Sequence, residues 1–256
     1  MTYQLPFAGS GRVNLVVEER GEGQPFLLLH GGAGPASMTR FASLLAERHP
    51  VRVITPTHPG FARTERPNEL KNIKGLAQLY AAFLDHLGVS DVTVIGNSVG
   101  GWIAAELALL ANPRVSGIVL VGATGIEVAG HPIPDVSKLT LDEVMSLSYH
   151  NPKPFKVDPA SVTDDQHAII SSNRAALQVF AASFPLEYPE IEALVVLQRR
   201  KFRFAEVPVT MYPRRTGRSS ITAFKSLYYI VHVLLGVFVN ILKYERRTTG
   251  RQPRKK

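Results

Sequence analysis

The stretch that most limits what this chain can fold into is "VIGNSVGGW", residues 94–102. An apolar run ends in Gly96-Asn97-Ser98-Val99-Gly100, and apolar residues at helical spacing follow. This G-x-S-x-G pattern, with a buried strand before it and a helix after it, describes a nucleophile elbow. The bend exposes the serine and requires glycine at positions 96 and 100, because a side chain there strikes the neighbouring strand or helix. The helix that follows points its positive end at the serine, where a developing oxyanion is favoured. Ser98 is therefore the candidate nucleophile.

The flanking chain agrees with this placement. "VNLVVEER" reads as a strand, Phe26 to Leu29 as a buried strand, and "VRVITPT", "DVTVIG" and "VSGIVLVGA" as further strands. Between them, "MTRFASLLAERH" reads as a helix capped by Ser37, with Phe41, Leu44 and Leu45 on one face. "IKGLAQLYAAFLDHLGV" reads as a helix with Leu76, Leu79, Phe83 and Leu87 on one side, and "WIAAELALLA" as another. Strands alternating with helices indicate a doubly wound, mostly parallel sheet. Apolar residues make up 45% of the chain, enough to bury such a core. The expected organisation is a core over residues 1–129, a Pro-rich then helical cap over 130–180, and a different segment over 181–256.

"HGGAGPAS", residues 30–37, follows the buried strand and matches an oxyanion-hole loop. Its donor is the backbone N–H of Gly32 or Ala33, with the second N–H from Val99. His30, at the strand end, reads as structural.

With the loop, "PTHPGFARTERP", the elbow and "VLVGATGI" in this order, residues 1 to about 180 resemble an α/β-hydrolase of the esterase and C–C-bond hydrolase branch. The resemblance implies hydrolysis of an ester or similar acyl bond in a small molecule, with no cofactor and no metal. It also implies an acid in a "V-x-G-x-x-D" phrase and a histidine in a "G-H" phrase after later strands. Neither phrase occurs after residue 180. The expected sheet is thus incomplete at its C-terminal end, and turnover is expected to be impaired. Surrogate bases are sought in His58, on a loop at the carboxyl edge of the sheet, and in His131 and His150 of the cap. His167, also near the cap, stands behind them, and His49 and His86 fall at the opposite edge. Glu127 and Asp135 are the candidate acids.

The last 75 or so residues resemble the end of family 2 glycosyltransferases of the polyprenyl-phosphate type. The likeness rests on "EVPVTM" at Glu206 to Met211, "RTGRSSI" at Arg215 to Ile221, and a terminal apolar run at 227–242; "NRAALQVFA" fits either parent. The upstream nucleotide-sugar site and its carboxylates have no counterpart, so a glycosyltransferase-related or non-catalytic chimeric protein is the alternative reading. Charge follows the same division. Residues 1–197 hold 14 Lys/Arg against 19 Asp/Glu, a balance of −5, whereas 198–256 hold 15 against 2, a balance of +13. Such asymmetry points to phosphates, with Arg214, Arg215 and Arg218 as candidate contacts. Aromatic interleaving for base stacking is weak, so an anionic membrane surface is expected rather than nucleic acid. The apolar run is 16 residues long, just short of the ~17–25 that span a bilayer. With no secretory signal read at the N-terminus, the expected location is cytoplasmic, peripheral to the membrane. Val207 to Tyr212 is expected to pair in parallel with Ile118 to Val121.

Overall fold

The computed structural model describes residues 1–7, 11–124, 139–148, 151–153 and 161–181. All lie within Met1–Pro185, the first of two units into which the chain divides. The elements are β1 (Thr2–Phe7), β2 (Gly11–Arg20), β3 (Gln24–Leu29), α1 (Thr39–Arg48), β4 (Val51–Pro56), α2 (Ile73–Leu87), β5 (Val92–Asn97), α3 (Val99–Leu109), β6 (Val115–Val121), α4 (Leu141–Ser148) and α5 (Asp164–Ala181). The sheet runs β1-β2-β4-β3-β5-β6. β4, β3, β5 and β6 are parallel, and β1 and β2 join antiparallel at one end. This is the doubly wound, mostly parallel α/β-hydrolase architecture expected from the sequence.

Burial follows the sheet positions. Leu27, Leu28 and Leu29 in β3 are fully buried, as a strand covered on both faces requires. β2 alternates instead, with Val13, Leu15 and Val17 inward. Leu76, Leu79 and Phe83 of α2 face the main core, and Leu87 packs at its margin. The Asn72 side chain caps α2 by accepting from the Gly75 N–H at 2.8 Å. At the other end of the sheet, Val119, Leu120 and Val121 of β6 are 44% or more exposed.

One strand goes beyond the sequence expectations, and two of those expectations are corrected. β1 was not foreseen: its only buried side chain is Leu5, and Pro6 argues against a strand except at an edge, which is where β1 lies. Ser37 does not cap α1. Gly34 and Pro35 start a 3₁₀ turn, Pro35–Met38, and the Ser37 hydroxyl donates to Gly34 O at 2.6 Å within it. That shift rotates α1, so Met38, Ala42, Leu45 and Ala46 face the sheet while Phe41 is exposed.

α4 and α5 fall in the stretch expected as the cap. Each opens with a reciprocal capping box. The Thr140 N–H donates to Glu143 Oε2 at 2.7 Å and the Glu143 N–H to Thr140 Oγ1 at 3.3 Å; Thr163 and Gln166 repeat the pattern at 2.9 and 3.3 Å. α5 contains "NRAALQVFA", and its Ala176 and Phe180 join the main core.

Candidate functional site

Ser98 stands between β5 and α3 with φ 55° and ψ −117°, a backbone conformation that costs a non-glycine residue on the order of 1–3 kcal/mol. The surroundings enforce it. The Ser98 N–H donates to Val121 O at 2.9 Å, and its carbonyl accepts from the N–H groups of Gly101 at 2.9 Å and Thr124 at 3.1 Å. The end of β6 thus ties the bend from both sides. A Cβ on Gly96 would lie 2.2 Å from Gly100 O, and one on Gly100 would lie 2.1 Å from Leu29 O. Those approaches bring α3 onto the ends of β3 and β5, and only glycine permits them. The Ser98 side chain makes no capping bond to α3 and is half-buried.

The loop after β3 closes on the same bend. A Cβ on Gly31 would meet Ser98 Cβ at 3.1 Å, so the candidate donors Gly32 and Ala33 and the candidate donor Val99 stand on segments that converge on Ser98. Gly34 turns the loop at φ 88°, and its N–H donates to Gly31 O at 3.0 Å.

Beneath this loop lie His30 and His58, both buried, with rings stacked at 3.7 Å between centroids. The partners fix the tautomers. The backbone N–H of His58 donates to His30 Nε2 at 3.0 Å, so His30 carries its proton on Nδ1, which donates to Gly31 O at 2.8 Å. His58 Nε2 faces His30 O at 2.9 Å and must donate, which leaves Nδ1 to accept from the Tyr80 hydroxyl. Burial pushes the His30 imidazole down to about 4. Burial first, then the neighbouring His30, holds His58 well below the usual histidine range. Burial likewise raises the Tyr80 phenol well above its usual value. Both rings are neutral, and neither nitrogen of His58 is available to Ser98. His58 does lie on the carboxyl-edge loop, as expected, but it is turned inward.

His131, His150, Glu127 and Asp135 lie outside the described residues, as do Arg214, Arg215, Arg218, the apolar run 227–242 and the segment 207–212. Among the described residues, no helix is long and apolar enough to cross a membrane.

The sequence reading missed what α5 does. Asn173, Ala176, Leu177 and Phe180 recur at i, i+3, i+4 and i+7 and face inward together. Phe180 stacks on Phe61 at 6.4 Å. Leu177 lies over Gly32, where a Cβ would meet it at 2.9 Å. The Asn173 amide donates to Ala33 O at 3.0 Å and accepts from the Ala62 N–H at 2.7 Å. A polar residue on an otherwise apolar helix stripe was the available signal.

The family model described as alpha/beta hydrolase fold matches residues 24–161, more than half of the chain. The 2-hydroxymuconate semialdehyde hydrolase of Pseudomonas putida is 38% identical over 122 residues, covering 46% of this chain and 42% of that protein. The 2-hydroxy-6-oxo-2,4-heptadienoate hydrolase of Pseudomonas putida strain F1 is 33% identical over 127 residues, covering 48% and 45%. The chain thus spans under half the length of these relatives. Among solved structures, an esterase from Exiguobacterium antarcticum superposes with a TM-score of 0.53 at 22% identity, over 73% of this chain and 75% of that one. At that identity the likeness carries the fold.

Proposed function

We propose that this chain, which belongs to the α/β-hydrolase family, is a serine hydrolase acting on an ester or similar acyl bond of a small molecule. Ser98 Oγ attacks the acyl carbon. The backbone N–H of Val99, with that of Gly32 or Ala33, receives the oxyanion, and the α3 N-terminus adds to the field there. The observation that carries the reading is the strained Ser98 bend beneath a glycine loop so close that a Cβ on Gly31 would meet Ser98 Cβ at 3.1 Å. The family match over residues 24–161 and the likeness to two hydrolases support it.

The base is assigned to the cap, where His131 or His150 takes the serine proton; Glu127, after the last core strand, or Asp135 of the cap orients it. The usual "V-x-G-x-x-D" and "G-H" phrases are missing after residue 180, so turnover is set low. A site without its proper base keeps only oxyanion stabilisation and binding, a loss of about 10³ or more. Hydrolysis of a short-chain aryl ester tests the reading: wild-type activity that Ser98→Ala abolishes supports it, and equal activity in both proteins removes it.

A second reading rests on the basic balance and the apolar run of the last quarter. There the C-terminal segment, glycosyltransferase-like in its phrases, holds the protein on an anionic membrane surface, with cations worth about 1 kcal/mol each near that surface.

A further inference from the structure

α5 does more than cover the sheet. Ser172 and Asn173, adjacent on this helix, both hold the turn after β4. The Ser172 hydroxyl donates to Gly60 O at 2.9 Å and accepts from the Arg63 N–H at 2.8 Å. The Asn173 side chain accepts from the Ala62 N–H at 2.7 Å. Among the described residues, Ala62 and Arg63 are two consecutive non-glycine residues at positive φ, 48° and 62°. Non-glycine residues rarely adopt that conformation; α5 accepts from the N–H group of each.

Asn173 then reaches across to the other loop. Its Nδ2 donates to Ala33 O at 3.0 Å, and Gly34 lies so close that a Cβ there would meet Nδ2 at 2.5 Å. The amide cannot be flipped, because flipping sets oxygen against the Ala33 carbonyl and N–H against N–H. Asn173 is buried, so water does not replace either bond. Its hold fixes the peptide between Ala33 and Gly34, next to the peptide whose N–H belongs to Ala33.

We propose that Asn173 is a positioning residue: through it, α5 holds the 31–34 loop in the geometry that receives the oxyanion, so the hole is complete only while α5 is docked. This rests on Ser98 being the nucleophile and on the 31–34 loop being the oxyanion loop. The hole is thereby coupled to the helix that covers it, at a residue 75 positions from the nucleophile.

The test uses the full chain and two readouts. The first is the rate at which a fluorophosphonate labels Ser98, since the phosphoryl oxygen occupies the oxyanion position. The second is amide hydrogen exchange at Gly34, whose N–H closes the loop turn onto Gly31 O. Asn173→Ala is expected to slow labelling about tenfold to a hundredfold and to speed exchange at Gly34 while β5 stays protected. Asn173→Asp sets a carboxylate oxygen against Ala33 O; protonated, it becomes a donor there. The ratio of its labelling rate to wild type is therefore expected to climb as pH falls from 8 to 5.5, a dependence that mere packing does not produce. Labelling within twofold of wild type in Asn173→Ala, unchanged exchange at Gly34, or a flat ratio for Asn173→Asp overturns the proposal. If wild-type Ser98 takes no label, the hydrolase reading fails by itself, and exchange alone decides: acceleration at Gly34 upholds the hold on the loop, and its absence overturns it.

Discussion

One methyl group at Gly100 reaches the centre of the site. A Cβ built there lies 2.1 Å from Leu29 O, 2.5 Å from Leu29 C and 2.7 Å from His30 O. All three are backbone atoms at the end of β3, so no side chain can swing aside. To reach even ~3.0 Å, α3 and β3 must separate by about 1 Å, in a core packed as densely as a crystal. Overpacking of this kind costs about 1–3 kcal/mol of stability. The same displacement moves the Val99 N–H away from the 31–34 loop, and about 1 Å of misplacement costs on the order of 10² in rate. Gly117 is the matched control: on β6, a Cβ there meets nothing within 4 Å, so Gly117→Ala is expected within about 0.5 kcal/mol of wild type. Urea unfolding of both variants gives the stability difference, read from the midpoint at unchanged slope. Fluorophosphonate labelling gives the rate. A Gly100→Ala protein as stable as Gly117→Ala that still labels at the wild-type rate refutes the close-approach argument.

Other outcomes follow from the same geometry. Ser98→Gly is expected to be more stable than Ser98→Ala by about 1 kcal/mol in thermal or urea unfolding, because only glycine adopts φ 55°, ψ −117° without strain; equal stabilities contradict strain at the elbow. Tyr80→Phe removes the hydroxyl that donates to His58 Nδ1 and leaves a buried acceptor alone, a loss of about 1–3 kcal/mol by urea unfolding; no loss contradicts the tautomer assignment. His30 and His58 titrate low in the fold, so the unfolded chain binds more protons between its ordinary histidine pKa and the folded one. Their contribution is whole above about pH 6.5 and is lost as pH falls toward the folded His30 value of about 4, by up to ~1.4 kcal/mol per pH unit for each histidine. A urea midpoint unchanged between pH 7 and 5.5 argues against a neutral buried pair. On anionic vesicles at low salt, the protein is expected to float with the lipid; recovery in the soluble fraction only removes the membrane reading.

What the sequence made legible was whatever strong local chemistry punctuates. The elbow glycines, the H-G-G loop and the apolar stripe of α2 all state their roles within a few residues. β1 stayed hidden because a hairpin strand at a sheet edge buries only Leu5 and tolerates Pro6. The "TLDE" and "TDDQ" capping boxes were legible but unread. Ser37 misled because a hydroxyl two residues before a helix looks like a cap until Gly34 and Pro35 set up a turn that uses it first. The remainder is non-local. That His58 turns inward depends on Tyr80, 22 residues on, and on His30, 28 residues back. That Asn173 grips Ala33 and Ala62 depends on contacts 140 and 111 residues apart, which no local pattern encodes. The surrogate histidine and acid fall outside the described residues, so the Ser98 bend and the loop after β3 are the part of the candidate site that the structure describes.

The central claim is that Ser98 is a nucleophile poised by its fold. Treating the intact protein with a fluorophosphonate and mapping the adduct by peptide mass tests it most directly. The account predicts phosphonylation on the peptide that carries Ser98, lost in Ser98→Ala; an adduct on any other residue, with Ser98 unmodified under conditions where related esterases react, contradicts it.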